Sequence, residues 1–141
     1  MAEFTNVNLQ SVLTNQNVLF TENPVCGNNC NIMHREGSGI VTLRGNTSQC
    51  RALYRVDFGA NIAVPTGGTA GEISIAIALE GEALSSATAT VTPAAVEQFF
   101  SVYRSVFVCV PRGCCLTVSV ENVSDQTISV ENANLIVERV A

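Results

Sequence analysis

The sharpest chemical cluster in this sequence is Cys26-x-x-x-Cys30-x-x-x-His34. Two thiolates and an imidazole are zinc ligands, and a tetrahedral site needs a fourth donor, for which Cys50, Cys114 and Cys115 are the candidates. The spacing departs from the common zinc patterns, and Gly27-Asn28-Asn29 reads as a turn. A Cys26–Cys30 loop disulfide and free thiols therefore stand beside the metal as readings. Cys114 and Cys115 are adjacent in a strand pattern, so their side chains point to opposite faces and do not bond each other. Cys50 begins a long strand and reads as a small buried hydrophobe. The start, Met1-Ala2-Glu3-Phe4-Thr5-Asn6, has no cationic stretch and no apolar h-region. It predicts a chain that folds in a cytoplasm, where its six cysteines stay mostly reduced.

Catalysis has little to stand on. His34 is the one histidine, tryptophan is absent, and no G-x-S-x-G nucleophile motif occurs. Gly67-Gly68-Thr69-Ala70-Gly71 lacks the Lys of a phosphate loop and precedes a strand, so it reads as a turn. Glu80 and Glu82 flank a turn, where solvated acids are the default. These residues predict a protein that is not an enzyme and needs no cofactor. Two glycosylation sequons, Asn46-Thr47-Ser48 and Asn122-Val123-Ser124, carry little weight without a signal peptide.

Composition narrows the class. The chain has 141 residues, 47% of them hydrophobic and 13% charged, which excludes intrinsic disorder. Its length predicts one domain with a folded surface of roughly 7,000 Å², enough to enclose a core. The net charge of -5 disfavours nucleic acid as a partner. The apolar runs are too short and too interrupted for a membrane-spanning helix. Every basic residue is an arginine: Arg35, Arg44, Arg51, Arg55, Arg104, Arg112 and Arg139. Either the composition is simply biased, or these few cations work in planar, bidentate pairs with carboxylates.

The elements that must position such groups are strands. From Cys50 to Val64 apolar residues alternate with Arg51, Arg55, Asp57 and Asn61, which predicts a long strand or a pair bent at Gly59. Ile73 to Leu79 alternates, turns at Gly81-Glu82 and returns through Ala83 to Thr92. Phe100, Val102, Val106, Val108 and Val110 form one stripe against Phe99, Tyr103 and Phe107 on the other face. Pro111-Arg112-Gly113 is a turn. Leu116, Val118 and Val120 precede Ile128 and Val130, then Leu135 and Val137. The echo Ser119-Val120-Glu121-Asn122 and Ser129-Val130-Glu131-Asn132 suits two antiparallel strands around a turn. The one helix expected is a turn or two over Pro93 to Gln98. Residues 1–20 are weakly patterned and read as an arm or edge strand. Residues 21–141 read as an all-β sandwich of about 8–10 antiparallel strands.

The order of Arg51–Phe58, Ile73–Glu82, Val106–Gly113, Leu116–Asn122 and Ala133–Val140 resembles the jelly-roll heads related to tumour necrosis factor and the complement globular head. Such heads are found at the tips of bacterial collagen-like spore-surface proteins. That resemblance covers residues 38–141 and implies a TNF-like jelly roll and a homotrimer. The collagen-like stalk of the spore proteins is missing. The whole chain, through His34–Gly45 and Val110–Cys115, also resembles small proteins encoded near capsid genes in bacteriophages of gut Firmicutes. This implies a virion component: a capsid decoration or head-fibre protein, assembled in the host cytoplasm, with the major capsid protein as partner.

The patterning agrees with a structural role. Phe99, Phe100, Tyr103 and Phe107 lie on both faces of one strand, so one face fills the core and the other needs cover, which a neighbouring copy would supply. The expectation is a non-enzymatic trimer on a phage head, with residues 1–20 as its capsid-facing arm. The alternative is a carbohydrate- or receptor-binding surface head, for which only Tyr54 and Tyr103 offer tyrosine rings.

Overall fold

The structure is a computed structural model and describes residues 2–25 and 31–141, the side chain of Val25 excepted. Eleven strands are found among the described residues: β1 (Ala2–Asn6), β2 (Gln10–Val12), β3 (Glu22–Val25), β4 (Ile32–His34), β5 (Val41–Arg44), β6 (Arg51–Ala63), β7 (Ile73–Leu79), β8 (Glu82–Val91), β9 (Phe100–Pro111), β10 (Cys115–Asn122) and β11 (Ile128–Arg139). One sheet runs β3-β1-β11-β6-β9, with β2 also pairing β11. The other runs β4-β5-β10-β7-β8. All pairings are antiparallel. This is an all-β jelly-roll sandwich, as the alternating pattern predicts.

The alternation builds the sandwich directly. Ala52, Tyr54, Val56, Phe58, Ala60 and Ile62 of β6 are buried against Ile73, Ile75 and Ile77 of β7 and Val118 and Val120 of β10 in one core. Covering both inner faces leaves 7083 Å² of surface, close to the expectation for a single domain. Gly59 does not break β6, which pairs with β9 without a shift from Arg51↔Pro111 to Ile62↔Phe100. The β7–β8 hairpin turns at Glu80 and Gly81, both at positive φ (54° and 81°). Two such residues in a two-residue loop twist in the sense that antiparallel strands need.

Four expectations require correction. Residues 1–20 are not a free arm. β1 lies inside the sheet between β3 and β11, with Ala2, Phe4 and Asn6 buried, because Phe4 fills space over the core. Val18 and Phe20 are buried as well, and only the three-residue β2 fits an edge strand. The Ser-Val-Glu-Asn echo is not a hairpin. β10 and β11 belong to different sheets, because the segment between them crosses the end of the sandwich. Residues 93–98 form bends and turns, with Glu97 at positive φ (60°), not a helix. The strand count exceeds 8–10 because β2 and β4, at three residues each, are too short to show a period.

Candidate functional site

The outward residues of β9 form one row: Ser101, Tyr103, Ser105, Phe107 and Cys109. Alternation places them there, since Val102, Val108 and Val110 take the inner face. Tyr103 and Phe107 are 62% and 61% exposed, so two large rings stand on the surface of an edge strand. Tyr103 is paired with Gly59, where a Cβ would meet only the Val102 carbonyl at 3.8 Å. Gly59 therefore adds no side chain beside Tyr103. Phe99 and Phe100 are half-buried at the start of the strand.

Next to this aromatic row lies a charged one. Phe107 is opposite Arg55 and Ser105 opposite Asp57. Arg55 reaches Asp57 at 3.3 Å through Nε and Glu138 of β11 at 3.0 Å through Nη2. The Ser105 hydroxyl donates to Asp57 Oδ1. Asp57 is thus held by a cation and a donor although it is almost buried, which offsets its desolvation. Arg55 bridges two carboxylates with one contact to each, rather than gripping one of them in the bidentate pair anticipated from composition. Arg104 and Arg139 instead donate to backbone carbonyls, those of Thr88 at 2.9 Å and Asn46 at 2.8 Å. The Arg104 contact ties β9 to β8 and partly closes the open side of the sandwich. Arg55 and Asp57 are legible two apart on one strand face. Glu138 is not, because it joins them only through the β11–β6 register.

The Cys-Cys-His cluster is only partly open to view, since Cys26 and Cys30 lie outside the described residues. His34 packs on Phe4, ring centroids 4.5 Å apart, and edge-on to Phe20. Its Nδ1 is 2.6 Å from Asn23 Oδ1 and its Nε2 is 2.8 Å from the Ser38 carbonyl. Both ring nitrogens are engaged in positioning the chain, which leaves neither directed at a metal. No group of three or more metal-ligating side chains assembles among the described residues. Cys50, Cys114 and Cys115, the proposed fourth ligands, lie at one end of the sandwich and are exposed. Cys50 is therefore not the buried hydrophobe its pattern implied; it precedes β6 by one residue, past the end of the core.

A hollow of about 720 Å³ is lined by Gly71, Glu72, Ser74, Ser124, Asp125 and Gln126 among others. It collects turn residues, and Ser124 is committed to both backbone groups of Ser74, at 2.7 and 3.0 Å. No helix of the described chain is long and apolar enough to cross a membrane.

No protein-family model and no curated protein matches the sequence. Solved structures do match in fold. The globular domain of zebrafish complement 1qA protein superimposes with a TM-score of 0.53 at 12% identity, over 96% of this chain and 94% of that one. The C-terminal domain of EclA, described as a sugar-binding protein, gives a TM-score of 0.44 at 12% identity, over 94% and 79%. The first places this chain in the complement-head, TNF-like jelly-roll fold.

Proposed function

We propose that the protein is a non-enzymatic head domain that works as a homo-oligomer, a trimer, on the outside of a larger particle. The supporting observation is the pair Tyr103 and Phe107, exposed on the outer face of edge strand β9 beside the Arg55–Asp57–Glu138 row. Aromatic residues in such a position carry much of the energy of protein interfaces, and a second copy offers both apolar cover and charges to match. A closed ring also hides the β9 edge. The resemblance to phage proteins extends the proposal to a capsid decoration role in a virion, with the major capsid protein as partner. Since β1 is built into the sheet, the capsid contact falls on loops rather than on an N-terminal arm.

The test is the native mass in solution of the wild-type chain and of a Tyr103→Ser/Phe107→Ser variant. The proposal expects about three times 14.9 kDa for the first and a folded monomer for the second. A wild-type monomer contradicts it. The glycan-binding alternative rests on the exposed Tyr103 ring beside Gly59, suited to stacking on a sugar. It is favoured if the wild type is monomeric and a glycan array gives hits that Tyr103→Ser abolishes.

A further inference from the structure

Cysteine is among the residues most often buried, yet all four described cysteines, Cys50, Cys109, Cys114 and Cys115, are exposed. They gather at one end of the sandwich. The β6–β9 register puts Arg51 opposite Pro111 and Leu53 opposite Cys109, and the Arg112 amide donates to the Cys50 carbonyl at 3.0 Å. The same end holds Arg44, Arg51, Arg112 and Arg139, four of the seven cations in a chain of net charge -5. The segments that form it, residues 44–51, 109–115 and 139–141, contain no Asp or Glu.

Within this end, a groove of about 350 Å³ is lined by Arg44, Gly45, Asn46, Thr47, Arg112, Gly113, Cys114 and Cys115. Cys115 is the direct cross-strand partner of Arg44. Both lie on the outer face, since Leu43 and Val118 take the inner one, so their Cβ atoms are about 5 Å apart. Neither Arg44 nor Arg112 forms a salt bridge with a described residue. The backbone here is rigid: Gly45 and Cys114 are joined at 2.8 Å, Gly113 and Gly45 at 3.0 Å, and a Cβ on Gly45 would strike the Pro111 carbonyl. The Cys115 thiol and the guanidiniums of Arg44 and Arg112 are thus held together in one groove.

We infer that this groove is a thiol–disulfide exchange site for anionic low-molecular-weight disulfides of the glutathione class, with Cys115 as the attacking thiol and Arg44 and Arg112 binding the carboxylates. The Cys115 thiol loses its proton and attacks one sulfur of the small disulfide. That S–S bond breaks, a protein–S–S–R bond forms, and the other half leaves as a thiolate that takes up the proton. The protein sulfur is oxidised and the departing half reduced, so no further oxidant is needed. A docked second copy fits less well, because two ends carrying four arginines each repel one another.

The test compares modification rates of the full chain with three disulfides: glutathione disulfide (anionic), hydroxyethyl disulfide (neutral) and cystamine (cationic). Sites are mapped by mass spectrometry of the peptides. At low salt the site should react with glutathione disulfide about tenfold faster than with cystamine, each scaled to its rate with a model cysteine peptide. The preference should collapse in about 1 M salt and in Arg44→Gln/Arg112→Gln, while Cys115→Ser should remove the adduct. A rate independent of disulfide charge, or modification at Cys50 and Cys109 ahead of Cys115, overturns the proposal.

Discussion

The hydroxyl of Tyr54, fully buried in β6 of one sheet, donates to the carbonyl of Arg44 at the end of β5 in the other, at 2.6 Å. This bond closes the end of the sandwich that carries the exposed thiols. It also gives the part-buried carbonyl at the end of β5 a hydrogen-bond donor. Tyr54→Phe keeps the ring and removes the donor. It should cost about 1–2 kcal/mol in urea unfolding, with an unchanged denaturant slope.

The same residue sets a pH dependence. Burial pushes the Tyr54 phenol above its ordinary value of 10.0, against the opposing pull of Arg139 and of the bond to Arg44. The unfolded chain therefore releases this proton at lower pH than the folded one. The contribution is fully present below pH 10 and is lost as pH rises through the folded value. Unfolding of wild type and Tyr54→Phe measured across alkaline pH should show their stability difference shrinking above pH 10. A constant difference would show that the phenol ionises alike in both states.

Removing residues 1–6 should unfold the protein rather than free it from a partner. Phe4 is 3% exposed and stacks on His34, and β1 is hydrogen-bonded on both edges. The single change Phe4→Ala should cost about 3–5 kcal/mol by thermal or chemical unfolding.

Asn122 is a second fastening point. Its Nδ2 donates to the Val12 and Gln126 carbonyls, each at 2.9 Å, and its Oδ1 accepts from the Ser124 amide at 2.9 Å. The side chain is fully buried, so Asn122→Ala strands three polar groups and should cost about 3 kcal/mol. Its echo, Asn132, is exposed at positive φ (53°) within a register shift of β11, and Asn132→Gly should be nearly neutral.

Fold class was legible because the core strands carry period two over long spans. β6, β7 and β9 can be read from the alternation of Tyr54, Val56 and Phe58, of Ile73, Ile75 and Ile77, and of Val106, Val108 and Val110. The N-terminal strand was not legible. Ala2, Phe4 and Asn6 alternate, but Asn6 is polar and is buried only because its Nδ2 reaches the Leu19 carbonyl at 3.1 Å, a contact no local pattern encodes. The exposed rings Tyr103 and Phe107 were visible as the odd-numbered face of β9. The arginine and thiol end was not, because it assembles from segments 44–51, 109–115 and 139–141, which only the register brings together. Local likeness between 119–122 and 129–132 misled because strands with equal sequence can serve opposite sheets.

The most direct measurement is sedimentation equilibrium of the wild-type chain across micromolar concentrations. The account expects one species of about three chains that collapses to a single folded chain when Tyr103 and Phe107 are replaced by serine. A wild-type protein that sediments as a 14.9 kDa monomer throughout would contradict it.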